Sequence, residues 1–167
     1  MLFVDGENFT ICAQKIAEAN GVVLSDGSHY SKDVFVWLPG LPATQDTTQG
    51  HLRLQHHAIR SFYYTSVAGD DLRIQDVRQR LRNMGFNPHV FKKTRDKAKG
   101  VDIALSKDLL VNAFFDNYDV AVLVAGDGDY VPLVEEVKRQ GKVVYLVFFE
   151  DEGLNGICGW LRSLILR

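Results

Sequence analysis

The reading of the fold turns on residues 120–144, VAVLVAGDGDYVPLVEEVKRQGKVV. Val120 to Ala125 is apolar at every position, the pattern of a strand buried on both faces. Gly126-Asp127-Gly128-Asp129 interrupts it, and Val131, Leu133, Val134 and Val137 then recur at helical spacing. Pro132 suits the first turn of that helix and Gly141 its end. Asp127 and Asp129 thus leave the C-terminal end of a central strand just ahead of a helix, the edge at which open α/β sheets bind ligands. Side by side they repel, so that one keeps its proton or a cation neutralises both. The flanking glycines bare the backbone for close approach, and a hard cation such as Mg²⁺ suits oxygen donors. The same residues also suit an Asp-Gly turn in which Asp caps the helix.

A chain of 167 residues fits one domain, here expected over 1–167 with a segment near 22–55 left unassigned. A 46% hydrophobic and 24% charged composition is that of a soluble globular protein. Cys12 and Cys158 form no paired or Cys/His cluster, so reduced thiols and a cytoplasmic location are expected. No apolar run reaches membrane-spanning length and no signal-peptide pattern appears, so no membrane partner is expected. The net charge of −2 does not advertise a polyanion partner, but its distribution does. From Arg73 to Lys99 nine Lys/Arg face two Asp, a basic segment that favours nucleic acid. Arg73, Arg78, Arg80 and Arg82 also suit a solvated helix face; Lys92, Lys93, Arg95, Lys97 and Lys99 lie in a loop that runs into a further acid.

Met1 to Val4 reads as a second strand ending in Asp5, followed by Gly6-Glu7-Asn8 and a helix from Phe9 to Ala19. Phe9, Cys12, Ile16 and Ala19 are expected on its inner face, with Gly21 as its stop. Glu7 is a second acid at this strand end, or a first-turn acid that points outward. Ser31 to Leu38 suits a short helix or strand, and Trp37 suits the core. His51, His56 and His57 lack metal-site spacing. Ala58 to Val67 is rich in aromatic and β-branched residues and reads as a strand, with Tyr64 and Thr65 bordering the site. Asp70 or Asp71 caps a helix with Leu72, Val77, Leu81 and Met84 inside, and Pro88 to Lys92 is a short strand. Asp102 opens a helix from Ile103 to Phe115, apolar at Ile103, Leu105, Leu109, Leu110, Ala113 and Phe114. Asp108, six positions on, faces elsewhere, as a salt-bridge or supporting residue. Lys142 to Phe149 is a strong last strand, and Leu154 to Leu166 reads as a terminal helix weakened by Gly156 and Gly159. The alternation predicts a three-layer α/β/α sandwich around a mainly parallel sheet.

Three motifs in series resemble the NYN domains of the PIN-like nuclease superfamily: Val4-Asp5-Gly6-Glu7-Asn8-Phe9, Lys99-Gly100-Val101-Asp102-Ile103-Ala104-Leu105, and Ala125-Gly126-Asp127-Gly128-Asp129-Tyr130-Val131-Pro132-Leu133. The resemblance implies a PIN-like, Rossmann-like fold and a Mg²⁺- or Mn²⁺-dependent ribonuclease. Its acidic positions fall on Asp5, Asp102, Asp127 and Asp129 as catalytic and metal-binding residues, with Asn8 in support. Gly128 stands where the family more often has Ser. Phosphodiester hydrolysis needs an activated water, neutralised phosphate charge and help for the leaving oxygen, which carboxylate-held metal supplies. On this reading Asn8, Lys92, Lys93, Arg95, Lys97 and Lys99 bind the RNA backbone, single-stranded RNA included, and a homo-oligomer is compatible with the chain. The alternative is a non-catalytic RNA-binding or protein-interaction module on the same fold. A thiamine-diphosphate motif is a poor match, because Gly156 replaces its second Asn; a Toprim-type carboxylate pair accounts less well for Asp5 and Asp102.

Overall fold

The structure is a computed structural model and describes residues 1–25, 29–37, 60–93, 99–149 and 161–166. The chain runs β1 (Leu2–Asp5), α1 (Gly6–Ala19), a hairpin of β2 (Tyr30–Ser31) and β3 (Phe35–Val36), β4 (Ser61–Val67), α2 (Asp71–Asn83), β5 (Asn87–Lys92), α3 (Lys99–Phe114), β6 (Val120–Val124), a 3₁₀ turn (Gly128–Tyr130), α4 (Val131–Arg139), β7 (Val143–Phe149) and β8 (Leu161–Leu166). The main sheet has the order β5-β4-β1-β6-β7-β8. Its first five strands are parallel, and β8 lies antiparallel on β7.

Alternation along the apolar strands feeds two cores. Leu2, Val4, Val122 and Val124 join Phe9 and Ala13 of α1 and Ile74, Val77 and Leu81 of α2 on one face. Phe3, Ala121, Leu123 and Ala125 join Leu105 and Leu109 of α3 and Leu133, Val134 and Val137 of α4 on the other. The expected α/β/α sandwich is therefore present. Its order also fixes where a ligand can sit. From β1 the chain moves outward through β4 to β5, and then α3 carries it back across to β6 on β1's other side. The direction of winding reverses between β1 and β6, which opens a crevice at their carboxyl ends.

Several expectations change. The terminal helix is replaced over 161–166 by strand β8, which pairs with β7 from Val144↔Leu166 to Phe149↔Leu161; residues 154–160 lie outside the described residues. A helix would have left the β7 edge bare, whereas the strand satisfies its backbone groups. On α1 the buried face is Phe9, Thr10, Ala13 and Ala17, while Cys12 and Ile16 are half-buried and Ala19 is exposed. Leu72, Ile103 and Phe114, expected inside, are exposed. Trp37 is in the core as expected, edge-on to Phe86. Within the basic segment, Arg78 donates to the Val90 carbonyl, while Arg80 donates to the Tyr30 carbonyl and stacks over Phe35. Those two cations tie α2 to its neighbours. Asp70 caps α2 by accepting from the Arg73 N–H.

Gly6 begins α1 directly against the sheet. A Cβ there would meet the Tyr63 ring at 2.0 Å, and Tyr63 is fully buried. At Gly128 a Cβ would meet nothing within 4 Å. Gly6→Ala is expected to destabilise by about 1–3 kcal/mol through overpacking, lowering the thermal midpoint by about 3–10 °C. Gly128→Ala is expected to shift the midpoint by no more than about 2 °C. Scanning calorimetry of the two variants beside the wild type makes the comparison.

Candidate functional site

The crevice is built from three chain segments. Asp5 closes β1 and is 3% exposed. Its Oδ1 caps α1 by accepting from the Asn8 N–H at 3.0 Å. Its Oδ2 accepts from the Tyr130 hydroxyl at 2.8 Å. The same hydroxyl lies 3.3 Å from Oδ1 of Asp102. Asp102 belongs to the first turn of α3, which starts at Lys99 rather than at Asp102 itself. Asp102, expected to open the helix, lies within it instead, with its side chain turned toward Tyr130. Across the crevice, the Asn8 side-chain carbonyl accepts from the Gly126 N–H at 3.0 Å, bracing the β1 loop against the β6 loop. Asp127 caps the 3₁₀ turn by accepting from the Asp129 N–H at 3.0 Å, so the turn-and-cap alternative describes the local role of one of its oxygens. Asp127 and Asp129 are both exposed. A Cβ on Gly126 would strike the Phe148 ring at 1.9 Å, so the loop lies flat on β7 because this residue is glycine.

The acids feel one another. Burial pushes the Asp5 carboxyl up to about 6, against the hydrogen bonds from Asn8 and Tyr130, and the charges of Asp102 and Glu7 push the same way. Asp102 is also raised, first by burial and then by the charges of Asp127, Glu7 and Asp129, with the Tyr130 hydrogen bond opposing. Asp5 and Asp102 thus meet on the Tyr130 hydroxyl, and the charges of Asp127 and Asp129 reach Asp102.

Glu7 belongs to that group, and the outward-pointing alternative does not hold. It accepts from the Ser66 hydroxyl at 2.7 Å and pairs with the Lys93 ammonium at 2.9 Å. Ser66, at the end of β4, takes the bordering place expected of its neighbours. Tyr64 instead donates to Asp108 at 2.9 Å, beneath a stacked His89, and Thr65 donates to the Val34 carbonyl. Asp108 is thus a partner of Tyr64, apart from the acids. Lys93 reaches the site through Glu7, whereas Lys92 pairs with Asp71 at the start of α2. Arg95 and Lys97 lie outside the described residues, as do His51, His56 and His57; the backbone of Lys99 starts α3. Tyr130 is the residue that sequence reasoning passed over. Its signal was its place directly after Gly-Asp-Gly-Asp: an aromatic with a polar tip beside acids.

A parallel α/β sandwich with an acid-lined crevice at its winding reversal defines a ligand-binding class of fold. The chain belongs to the NYN domain family, whose model matches residues 1–156; the family is part of the PIN-like nuclease superfamily, and NYN domains are generally nucleases. A solved structure of a protein of unknown function from Vibrio parahaemolyticus is similar in fold, with a TM-score of 0.58 and 21% identity, covering 89% of this chain and 79% of that one. No curated protein matches the chain. PIN-like nucleases typically use divalent metals. Carboxylate oxygens are the donors a hard cation takes, but among the described residues no three His, Cys, Asp or Glu side chains are gathered into a cage. An open site, with one or two carboxylates and the remaining positions taken by water and phosphate, is the kind these residues could supply. No described helix is long and apolar enough to cross a membrane.

Asp5 also makes a testable demand on stability. A carboxyl whose folded pKa lies above its unfolded value weighs against the folded state as it ionises. The penalty is absent below about pH 4, grows between about pH 4 and 6, and is complete above that. A rise to about 6 from 3.8 corresponds to roughly 2–3 kcal/mol. In metal-free protein, Asp5→Asn is therefore expected to be more stable than wild type by up to that amount at pH 8, with the gain gone near pH 4. Urea unfolding at the two pH values measures it.

Proposed function

We propose that this chain is a metal-dependent ribonuclease that hydrolyses RNA phosphodiester bonds at the β1/β6 crevice. The observation that carries the reading is the meeting of Asp5 and Asp102, 97 positions apart in the sequence, on the Tyr130 hydroxyl. Asp127 and Asp129 lie close enough to raise Asp102 further. Family membership supports a nucleic-acid substrate. Isolated acids would repel RNA, and a group of them at a sheet edge makes chemical sense when a cation neutralises it.

A bound Mg²⁺ or Mn²⁺ would supply charge neutralisation at the phosphate and make a water easier to deprotonate for attack. Asp5 and Asp127 would hold such a cation, directly or through water. Asp102 and Asp129 would complete its surroundings or orient the attacking water and take up its proton. Asn8 keeps the β1 and β6 loops at a fixed distance through its bond to Gly126. Lys93, with Lys92, Arg95, Lys97 and Lys99, draws the RNA backbone toward the crevice.

Labelled single-stranded RNA and DNA of one sequence, incubated with Mg²⁺, Mn²⁺ or a chelator, test the proposal. RNA cleavage that needs the metal and falls at least about 100-fold in Asp127→Asn is expected. Folded wild-type protein that hydrolyses neither substrate, indistinguishable from Asp127→Asn, overturns it. The non-catalytic RNA-binding alternative draws on the lack of a closed carboxylate cage among the described residues; RNA bound but left intact in Mn²⁺ is the outcome that favours it.

The basic residues make a separate demand. Lys93→Ala is expected to weaken RNA binding and to lower the slope of log affinity against log salt by about one. Fluorescence anisotropy across a salt series reads both effects.

A further inference from the structure

Tyr130 is 5% exposed, and its ring packs in the core shared by α3, α4 and β6. A core position asks only for an apolar ring, yet the hydroxyl emerges between two carboxylates. A phenol carries one hydrogen. Asp5 Oδ2 stands at 2.8 Å and Asp102 Oδ1 at 3.3 Å. The shorter distance is that of a good O–H···O bond and the longer one is not. The hydrogen is therefore held mainly by Asp5, and Asp102 keeps only the longer, weaker contact.

The two acids consequently differ in freedom. Both oxygens of Asp5 are held, one by the Asn8 N–H and one by Tyr130. Asp102 is exposed and sits in the first turn of α3. We infer that Tyr130 is a positioning residue: its hydroxyl locks Asp5 as the fixed carboxylate and leaves Asp102 as the one that turns toward an incoming cation. This extends the proposed function, since it assigns roles within the same site. Its geometric basis belongs to the metal-free chain, so part of its test needs neither metal nor RNA.

Tyr130→Phe keeps the ring and removes the hydrogen. In metal-free protein at pH 8, it is expected to lower the folding equilibrium constant about tenfold or more, as loss of a hydrogen bond to a charged group does. That loss should largely disappear in an Asp5→Asn background and persist in an Asp102→Asn background, because Asp5 receives the hydrogen. Direct Mn²⁺ titration followed by electron paramagnetic resonance is expected to show affinity about 10–100-fold weaker in Tyr130→Phe, the usual cost of losing a residue that orients a ligand. In the cleavage assay kcat falls while KM for RNA stays within about twofold. The inference is overturned if the stability loss couples to Asp102 rather than Asp5, or if Mn²⁺ binds Tyr130→Phe as it binds wild type. A wild type that binds Mn²⁺ without cutting RNA would remove the ribonuclease proposal, while the coupling and the Mn²⁺ titration would still decide the role of Tyr130.

Discussion

One phenolic hydrogen stands between two carboxylates at this sheet edge, and the arrangement around the crevice depends on that shortage. Asp5 gains the hydrogen and a helix N-terminal N–H, yet burial still leaves it reluctant to ionise. Asp102 gains less and is pressed by Asp127, Glu7 and Asp129. A folded chain that gathers unneutralised acids in this way gives up stability, the pattern expected of a functional site. The surrounding bonds brace rather than relieve them: Asn8 ties one loop to the other, and Ser66 and Lys93 hold Glu7 in place.

The topology explains why these residues meet. β1 and β6 are neighbours in the sheet although most of the chain separates them. α1 and α2 cover one face while α3 and α4 cover the other. The elements that leave β1 and β6 therefore diverge, and α3 enters between them from the far edge. Acids at two strand ends and one helix start converge because the winding reverses there, with no long loop needed to bring them together.

Much of this was legible in the sequence. The continuous apolar run at 120–125 marked a strand buried on both faces, 142–149 read as a further strand, and Asp5 directly after Val4 with Asp127 two places after Ala125 marked the candidate edge. The terminal strand was not legible. Leu161, Leu164 and Ile165 are spaced as well for a helix as for a strand, and a pairing partner decides such short apolar runs. The helix faces were misjudged where charge and apolarity give no direction: Leu72 and Ile103 point outward, while Arg78 and Arg80 are spent on backbone carbonyls. Tyr130 was hidden by its own ring, which satisfies a core pattern so well that the hydroxyl attracts no notice. Glu7 was left open between a strand-end acid and an outward one because its partners, Ser66 and Lys93, lie 59 and 86 positions away.

The antiparallel β8 carries a consequence for how the protein is handled. The family match stops at residue 156, but the sheet continues to Leu166. A fragment trimmed to the family boundary would strip β7, seven residues of Val, Tyr, Leu and Phe, of its outer neighbour. Such a bare, apolar rim is a template for another copy of itself. Aggregation of that shortened fragment would then report on a missing border strand and say nothing about the chemistry of the crevice.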